Sequence, residues 1–258
     1  MRRRLLLFPL SLLVLILLSS CGSGGGEPLV ALYHDEGVWL DGLIATERML
    51  DWMGIPWKEI DAEELNERGL SGFEIFWLPG GWAPDYSRKI RESGREAILQ
   101  FVNQGGAYVG VCAGAYYAAA TVVWEGERYL YLLKLFRGEA VGPEIFPWPR
   151  YGMAELEMDP GHPINVKGPR EETMLLYGGG YFVPTALQEM EIVATYKQTG
   201  RPAIITFPYG RGKVLLLGVH PEIEEDAARD GTHFAQRLDD EGSDWPFMQA
   251  AIDWLLNR

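Results

Sequence analysis

The sequence runs to 258 residues, with 36 Asp and Glu against 23 Lys and Arg, a formal charge of −13, and two cysteines. An acidic balance of this size disfavours nucleic acid and anionic lipid headgroups as partners, and two cysteines cannot staple a disulfide-dense fold. Hydrophobic residues make up 47% of the chain, enough to bury the core of one α/β domain.

The chain opens on a positive n-region, Arg2 to Arg4, followed by an apolar run from Leu5 to Leu18 and the small residues Ser19 and Ser20. A run this short with small residues behind it reads as an export signal over residues 1–20 rather than as a membrane span. The order Leu18-Ser19-Ser20-Cys21 resembles the bacterial lipobox, which implies cleavage before Cys21 and acylation of its thiol. An ordinary signal peptide with an incidental Cys21 is the alternative. Gly22 stands where aspartate would signal inner-membrane retention, so in a Gram-negative host the expected location is the outer membrane. Loss of the three arginines leaves 20 basic against 36 acidic side chains, a charge of −16. The expected membrane link, outside the cytoplasm, therefore rests on the lipid alone. Residues 21–28 form a glycine-rich tether, and residues 29–258 form one domain.

Within that domain, Leu29 to Tyr33 is an apolar run suited to a buried strand. A helix is expected from Gly42 to Met53, with Gly54 just past its end. Trp57 to Ile60 and Phe73 to Leu78 read as strands, the latter ending at Pro79-Gly80-Gly81. Arg88 to Gln104 reads as one helix, Ala107 to Val111 as a strand, and Gly114 to Thr121 as a helix. After a long middle segment, Ala203 to Phe207 and Lys213 to Val219 return as strands around a turn at Tyr209-Gly210-Arg211-Gly212, and Pro246 to Leu256 closes as a helix. Strands interleaved with helices of these lengths predict a mostly parallel sheet covered by helices on both faces.

The chemistry concentrates where the strand ending at Val111 runs into Gly110-Val111-Cys112-Ala113-Gly114. Flanking glycines allow a strained strand-to-helix turn that lifts the central side chain above the sheet, and a helix N-terminus behind the sulfur favours the thiolate. The Ala113 N–H would face an oxyanion, with a second donor from Gly80 or Gly81. Downstream, His220-Pro221-Glu222 follows a strand. Alternate side chains share a face, so the imidazole could reach the thiol while the carboxylate orients it. Taken singly, Cys112 also reads as a buried small hydrophobe, His220 as a loop histidine and Glu222 as an acid at a helix start.

The order Pro-Gly-Gly, Gly-x-Cys-x-Gly, His-Pro-Glu resembles the class I glutamine amidotransferase-like superfamily. Gly110 to Ala118, with Tyr177-Gly178-Gly179-Gly180-Tyr181-Phe182 and Gly218-Val219-His220-Pro221-Glu222, is similar more narrowly to the N-terminal domain associated with biotin–protein ligases, over roughly residues 29–256. The resemblance implies a flavodoxin-like, amidotransferase-like fold and a Cys112–His220–Glu222 triad, with Tyr116, Gly179 and Gly180 at the pocket. It does not extend to the ligase's catalytic domain, so biotin ligation is not implied. With no synthetase domain alongside and no ATP in the expected compartment, hydrolysis or acyl transfer on a small-molecule or peptide amide is a better expectation than glutamine hydrolysis feeding a synthetase. A non-catalytic ligand- or envelope-binding module is the alternative. A redox-sensing thiol is a third reading, with Glu36 as the acid that would face it.

Other candidates carry less. Gly178 to Gly180 lacks the P-loop Gly-Lys-Ser/Thr continuation and reads as a turn beside the site. His34, Asp35 and Glu36 follow the first strand, at the sheet end where ligands bind in open α/β folds, and read as solvated loop residues, with pocket lining as the alternative. His162 and His233 lie in no metal-like spacing, so no metal and no cofactor is expected. Trp82, Trp124 and Trp148 read by default as packing aromatics, with pocket aromatics as the alternative.

Overall fold

A computed structural model describes residue 27 and residues 29–224, 227–238 and 242–258. The export signal expected over residues 1–20, and Cys21, lie outside the described residues. Among those described, no helix is long and apolar enough to cross a membrane.

The first half alternates strand and helix: β1 (Val30–Tyr33), α1 (Leu40–Trp52), β2 (Trp57–Ile60), α2 (Ala62–Arg68), β3 (Ile75–Leu78), α3 (Ala83–Lys89), α4 (Glu92–Asn103), β4 (Ala107–Val111) and α5 (Ala113–Ala118). Every residue of β1, β3 and β4 is buried, as expected of parallel strands covered on both faces. One group of helices joins α1 to the C-terminal α7 (Trp245–Leu255) through the Trp52–Trp245 ring contact, and α2 packs on α4.

The middle segment is all strand: β5 (Ala119–Trp124), β6 (Glu127–Leu130), β7 (Phe136–Gly142), β8 (Tyr151–Met158), β9 (Glu171–Tyr177), β10 (Tyr181–Pro184) and β11 (Glu191–Tyr196). The strands β12 (Pro202–Tyr209) and β13 (Gly212–Leu217) and the short α6 (Ala227–Asp230) lead to α7. Nine strands form the main sheet in the order β2-β1-β3-β4-β13-β12-β11-β8-β9, and four form a second in the order β10-β7-β5-β6. From β2 to β13 the main sheet is parallel. From β13 to β9 every pairing is antiparallel. The expected mostly parallel, helix-covered sheet is found in β2, β1, β3, β4 and β13, and an antiparallel extension follows. That extension curls back, for the His220 N–H just past β13 donates to the Leu175 carbonyl of edge strand β9 at 2.8 Å.

Two expected helices differ. The one from Arg88 to Gln104 is two, because Asn66 of α2 reaches across the break. Its Nδ2 donates to the Lys89 carbonyl at 3.0 Å and its Oδ1 accepts from the Arg91 N–H at 2.9 Å. The helix after the elbow stops at Ala118, where the branched Thr121, Val122 and Val123 take up a strand.

Candidate active site

Strand β4 delivers Cys112 at its C-terminal end, and α5 begins one residue later. Cys112 has φ 46° and ψ −102°. A backbone of this kind in a non-glycine residue costs on the order of 1–3 kcal/mol and persists only where its surroundings over-determine it. A neighbouring glycine meets that condition. A Cβ on Gly114 would lie 2.0 Å from the Leu78 carbonyl oxygen, so α5 can seat on the end of β3 only with glycine there. The Gly114 N–H then donates to the Pro79 carbonyl at 3.2 Å, and the Tyr116 N–H to the Cys112 carbonyl at 2.9 Å. The Ala113 N–H has no backbone acceptor among the described residues.

The base and its partner come from the strand next door. The Cys112 N–H bonds the Leu217 carbonyl of β13 at 2.9 Å, and β13 continues through Gly218 and Val219 to His220. The His220 Nδ1 lies 2.8 Å from the Glu222 Oε1, and both residues are about 1% exposed. On the other side of the ring, Nε2 lies 3.2 Å from the Tyr177 carbonyl oxygen, which also accepts from the Cys112 Sγ at 3.6 Å. The Trp245 Nε1 donates to the Glu222 carbonyl at 3.1 Å, and Trp39 meets the imidazole edge-on at 5.1 Å. Both ring nitrogens of His220 therefore face acceptors, an arrangement that a doubly protonated ring satisfies. Burial alone would lower its pKa. The Glu222 carboxylate, joined by the Cys112 thiol, outweighs burial and raises it from 6.5 to about 10.

Cys112 and His220 open onto a cavity of about 350 Å³. Ala113 and Gly81 line it, and the Gly81 N–H also lacks a backbone acceptor among the described residues. Gly80 does not line it. Its carbonyl accepts from the Trp39 N–H and the Tyr86 hydroxyl, and a Cβ there would lie 2.7 Å from the His220 ring. Of the expected pocket residues, Tyr116 lines the cavity, its hydroxyl donating to the Gly178 carbonyl at 3.0 Å. Gly178 lines it in place of Gly179 and Gly180, which lie behind. A Cβ on Gly179 would meet the Gly218 carbonyl at 1.7 Å, and one on Gly180 would meet the Val141 carbonyl at 2.3 Å. Those two glycines are small because backbones cross there.

Sequence reasoning missed the wall and the pivot. Trp82, Trp124 and Trp148, assigned by default to packing, line the cavity with Tyr129, Tyr131 and Tyr177. The Tyr177 carbonyl carries no signal in its side-chain type. Tyr129 lies on β6, whose four residues are all exposed, so no period-two alternation marked a strand over the site. Glu36 does not approach the sulfur and instead pairs with Arg88 at 2.9 Å and Lys89 at 3.2 Å. His34 bonds Glu59 at 2.8 Å, and Asp35 pairs with Lys89. His162 is buried against the Thr206 hydroxyl at 2.9 Å, and His233 is exposed.

The comparisons with known proteins bear on the family and the fold. A biotin–protein ligase of Schizosaccharomyces pombe is 30% identical over 187 residues, covering 66% of this chain and 29% of the ligase. The chain thus spans under a third of that relative's length. An uncharacterized protein of Chlamydia muridarum is 28% identical over 207 residues, 75% of this chain and 80% of its own. The crystal structure of a glutamine amidotransferase, 21% identical, superposes with a TM-score of 0.57 over 79% of this chain and all of its own length, which shows a shared fold. The family model for the biotin-protein ligase N-terminal domain matches residues 60–244, a span that holds Cys112, His220 and Glu222, and the chain belongs to that family.

Proposed function

We propose that the protein is an envelope lipoprotein, anchored through Cys21, whose Cys112, His220 and Glu222 form a thiol-dependent site for amide or peptide hydrolysis or acyl transfer. The supporting observation is the meeting of the Cys112 Sγ and the His220 Nε2 on one carbonyl oxygen, at 3.6 and 3.2 Å, with Glu222 behind the ring at 2.8 Å. In the proposed reaction Cys112, its proton released to solvent and its thiolate paired with the His220 imidazolium, attacks a substrate carbonyl, and a C–S bond forms while negative charge develops on oxygen. The N–H groups of Ala113 and Gly81 are the donors available to that oxygen. Collapse breaks the bond to the leaving amine, which takes its proton from the His220 imidazolium. Water, deprotonated by His220, then cleaves the thioester to a free acid and restores the thiolate beside the imidazolium. An acceptor amine in place of water gives acyl transfer. Glu222 holds the imidazole in position throughout.

The resting arrangement also suits a non-catalytic ligand-binding module, because the thiol hydrogen-bonds to a backbone carbonyl above the active cleft. Labelling with cysteine-directed amide and ester probes separates the two. The enzyme reading requires fast labelling of native protein at Cys112, none in Cys112→Ala, and much slower labelling in His220→Ala. A thiol that labels no faster than a free cysteine, and is indifferent to His220→Ala, refutes it. For the anchor, metabolic labelling with a fatty-acid analogue should mark the native chain and spare Cys21→Ala.

A further inference from the structure

We infer that the cavity beside Cys112 selects uncharged compounds bearing an aromatic or bulky apolar group and disfavours free amino acids, glutamine included. The inference deepens the hydrolase reading by naming its substrate class, but its binding part stands without turnover. Trp82, Trp124 and Trp148 form one wall, with ring centroids 6.4, 6.5 and 6.0 Å apart in the three pairings. Trp148 continues it by stacking on Tyr177 at 4.9 Å, directly over the residue whose carbonyl holds the thiol and the imidazole. Rings this close touch one another, so they offer a continuous apolar surface rather than a gap that encloses an ion. Trp82 and Tyr129 remain 46% and 47% exposed, consistent with a wall open to an occupant.

No Asp, Glu, Lys or Arg lines the cavity among the described residues. Arg88, on the helix that follows Trp82, is held by Asp85 and Glu36 at 2.6 and 2.9 Å. The charge on His220 is matched by Glu222 at 2.8 Å. A free amino acid would bring an ammonium and a carboxylate into this space and find an opposite charge for neither, losing hydration without replacement. An apolar ring would instead bury area against the wall.

The test titrates Cys112→Ala with phenylacetamide and with glutamine, reading tryptophan fluorescence. Phenylacetamide should bind at least about tenfold tighter than glutamine. Trp148→Ala and, as a second exposed wall position, Trp82→Ala, each in the Cys112→Ala background, should weaken phenylacetamide by about fivefold or more and leave glutamine unchanged. Glutamine binding as tightly as phenylacetamide, or both wall variants binding like the parent, overturns the inference. Turnover is read separately on native protein with p-nitrophenyl phenylacetate. If the neutral ligand binds but no acyl-enzyme or nitrophenolate forms, selectivity stands and the hydrolase reading falls. If glutamine is the better-hydrolysed compound, thiol chemistry stands and the selectivity falls.

Discussion

Replacing Glu222 with glutamine tests the electrostatics of the site independently of any substrate. In the folded chain His220 holds its proton up to about pH 10, against 6.5 unfolded, because the buried carboxylate lies 2.8 Å from its Nδ1. A group whose folded pKa is raised contributes stability that is fully present below the unfolded value and is lost as pH rises toward the folded one. Folded His220 therefore keeps one proton that the unfolded chain releases across this window. One proton of difference makes stability fall by about 1.4 kcal/mol per pH unit, or roughly 2–3 kcal/mol between about pH 7.5 and about pH 9.5. Glutamine keeps the shape and removes the carboxylate charge, so burial is then opposed only by the Cys112 sulfur and most of the fall disappears. Two other groups titrate nearby. Burial lowers the His162 pKa, and Glu47, desolvated and beside Glu59, is raised to about 7. Both are unchanged by the substitution and cancel between the two proteins. The assay is the urea midpoint and slope of native and Glu222→Gln protein at half-unit pH steps. Parallel stability curves across this range would refute the charged pair.

Three further outcomes follow from particular contacts. Gly179→Ala, whose Cβ would meet the Gly218 carbonyl at 1.7 Å, should lower stability in urea by about 3 kcal/mol and alter Cys112 alkylation, since Gly218 and Gly179 lie two residues from His220 and Tyr177. Asp61→Ala removes the α2 cap, an Asp61 carboxylate accepting from the Glu64 N–H at 2.7 Å, and should cost about 1 kcal/mol by thermal melting with thiol reactivity unchanged. Glu47→Gln removes a carboxyl that resists ionising beside Glu59. It should stabilise the protein above about pH 7 by up to 1 kcal/mol, a small gain because Glu47 is partly exposed to solvent, and should change nothing below about pH 4.5.

The parts of the fold legible in the sequence are those where local chemistry and tertiary role agree. The apolar runs at Val30–Tyr33 and Ala107–Val111 are buried on both faces, so composition alone marks them as strands. The elbow is legible because glycine at 114 is required by one backbone approach. Helix α2 was also readable, since Asp61 followed three residues later by Glu64 is a helix-start signature, and it was passed over. The break between α3 and α4 was not readable, because Asn66 imposes it from 23 residues away. The antiparallel extension was opaque for a related reason. Its strand β8 takes β9 on one side and the more distant β11 on the other, and the edge returns to the segment after β13 through the His220 N–H to Leu175 carbonyl bond, a contact far along the chain from β9. The tryptophan wall escaped because an aromatic side chain looks the same to the sequence whether it packs inward or lines a cleft.

Two structural sources meet at the site, and they differ in stiffness. The Cys112 sulfur and the His220 imidazole sit at the ends of β4 and β13, adjacent parallel strands in register from Lys213 opposite Ala107 to Leu217 opposite Val111. Their separation is therefore set by the ladder between two buried strands, which opens only with the core. The wall comes instead from the loop at Trp82, the edge hairpin β5–β6 and the connection carrying Trp148 and its neighbouring prolines. Segments of that kind tolerate substitution far better than a buried ladder does. Reactivity and selectivity should accordingly separate under mutation. Changes at Trp82, Tyr129 or Trp148 should alter which ligand binds while Cys112 alkylation stays near the native rate, and changes that disturb β4 or β13 should alter alkylation for every probe alike. The curl of the sheet is the one element that serves both, because it carries the Tyr177 carbonyl to the sulfur and imidazole and the Tyr177 ring to Trp148.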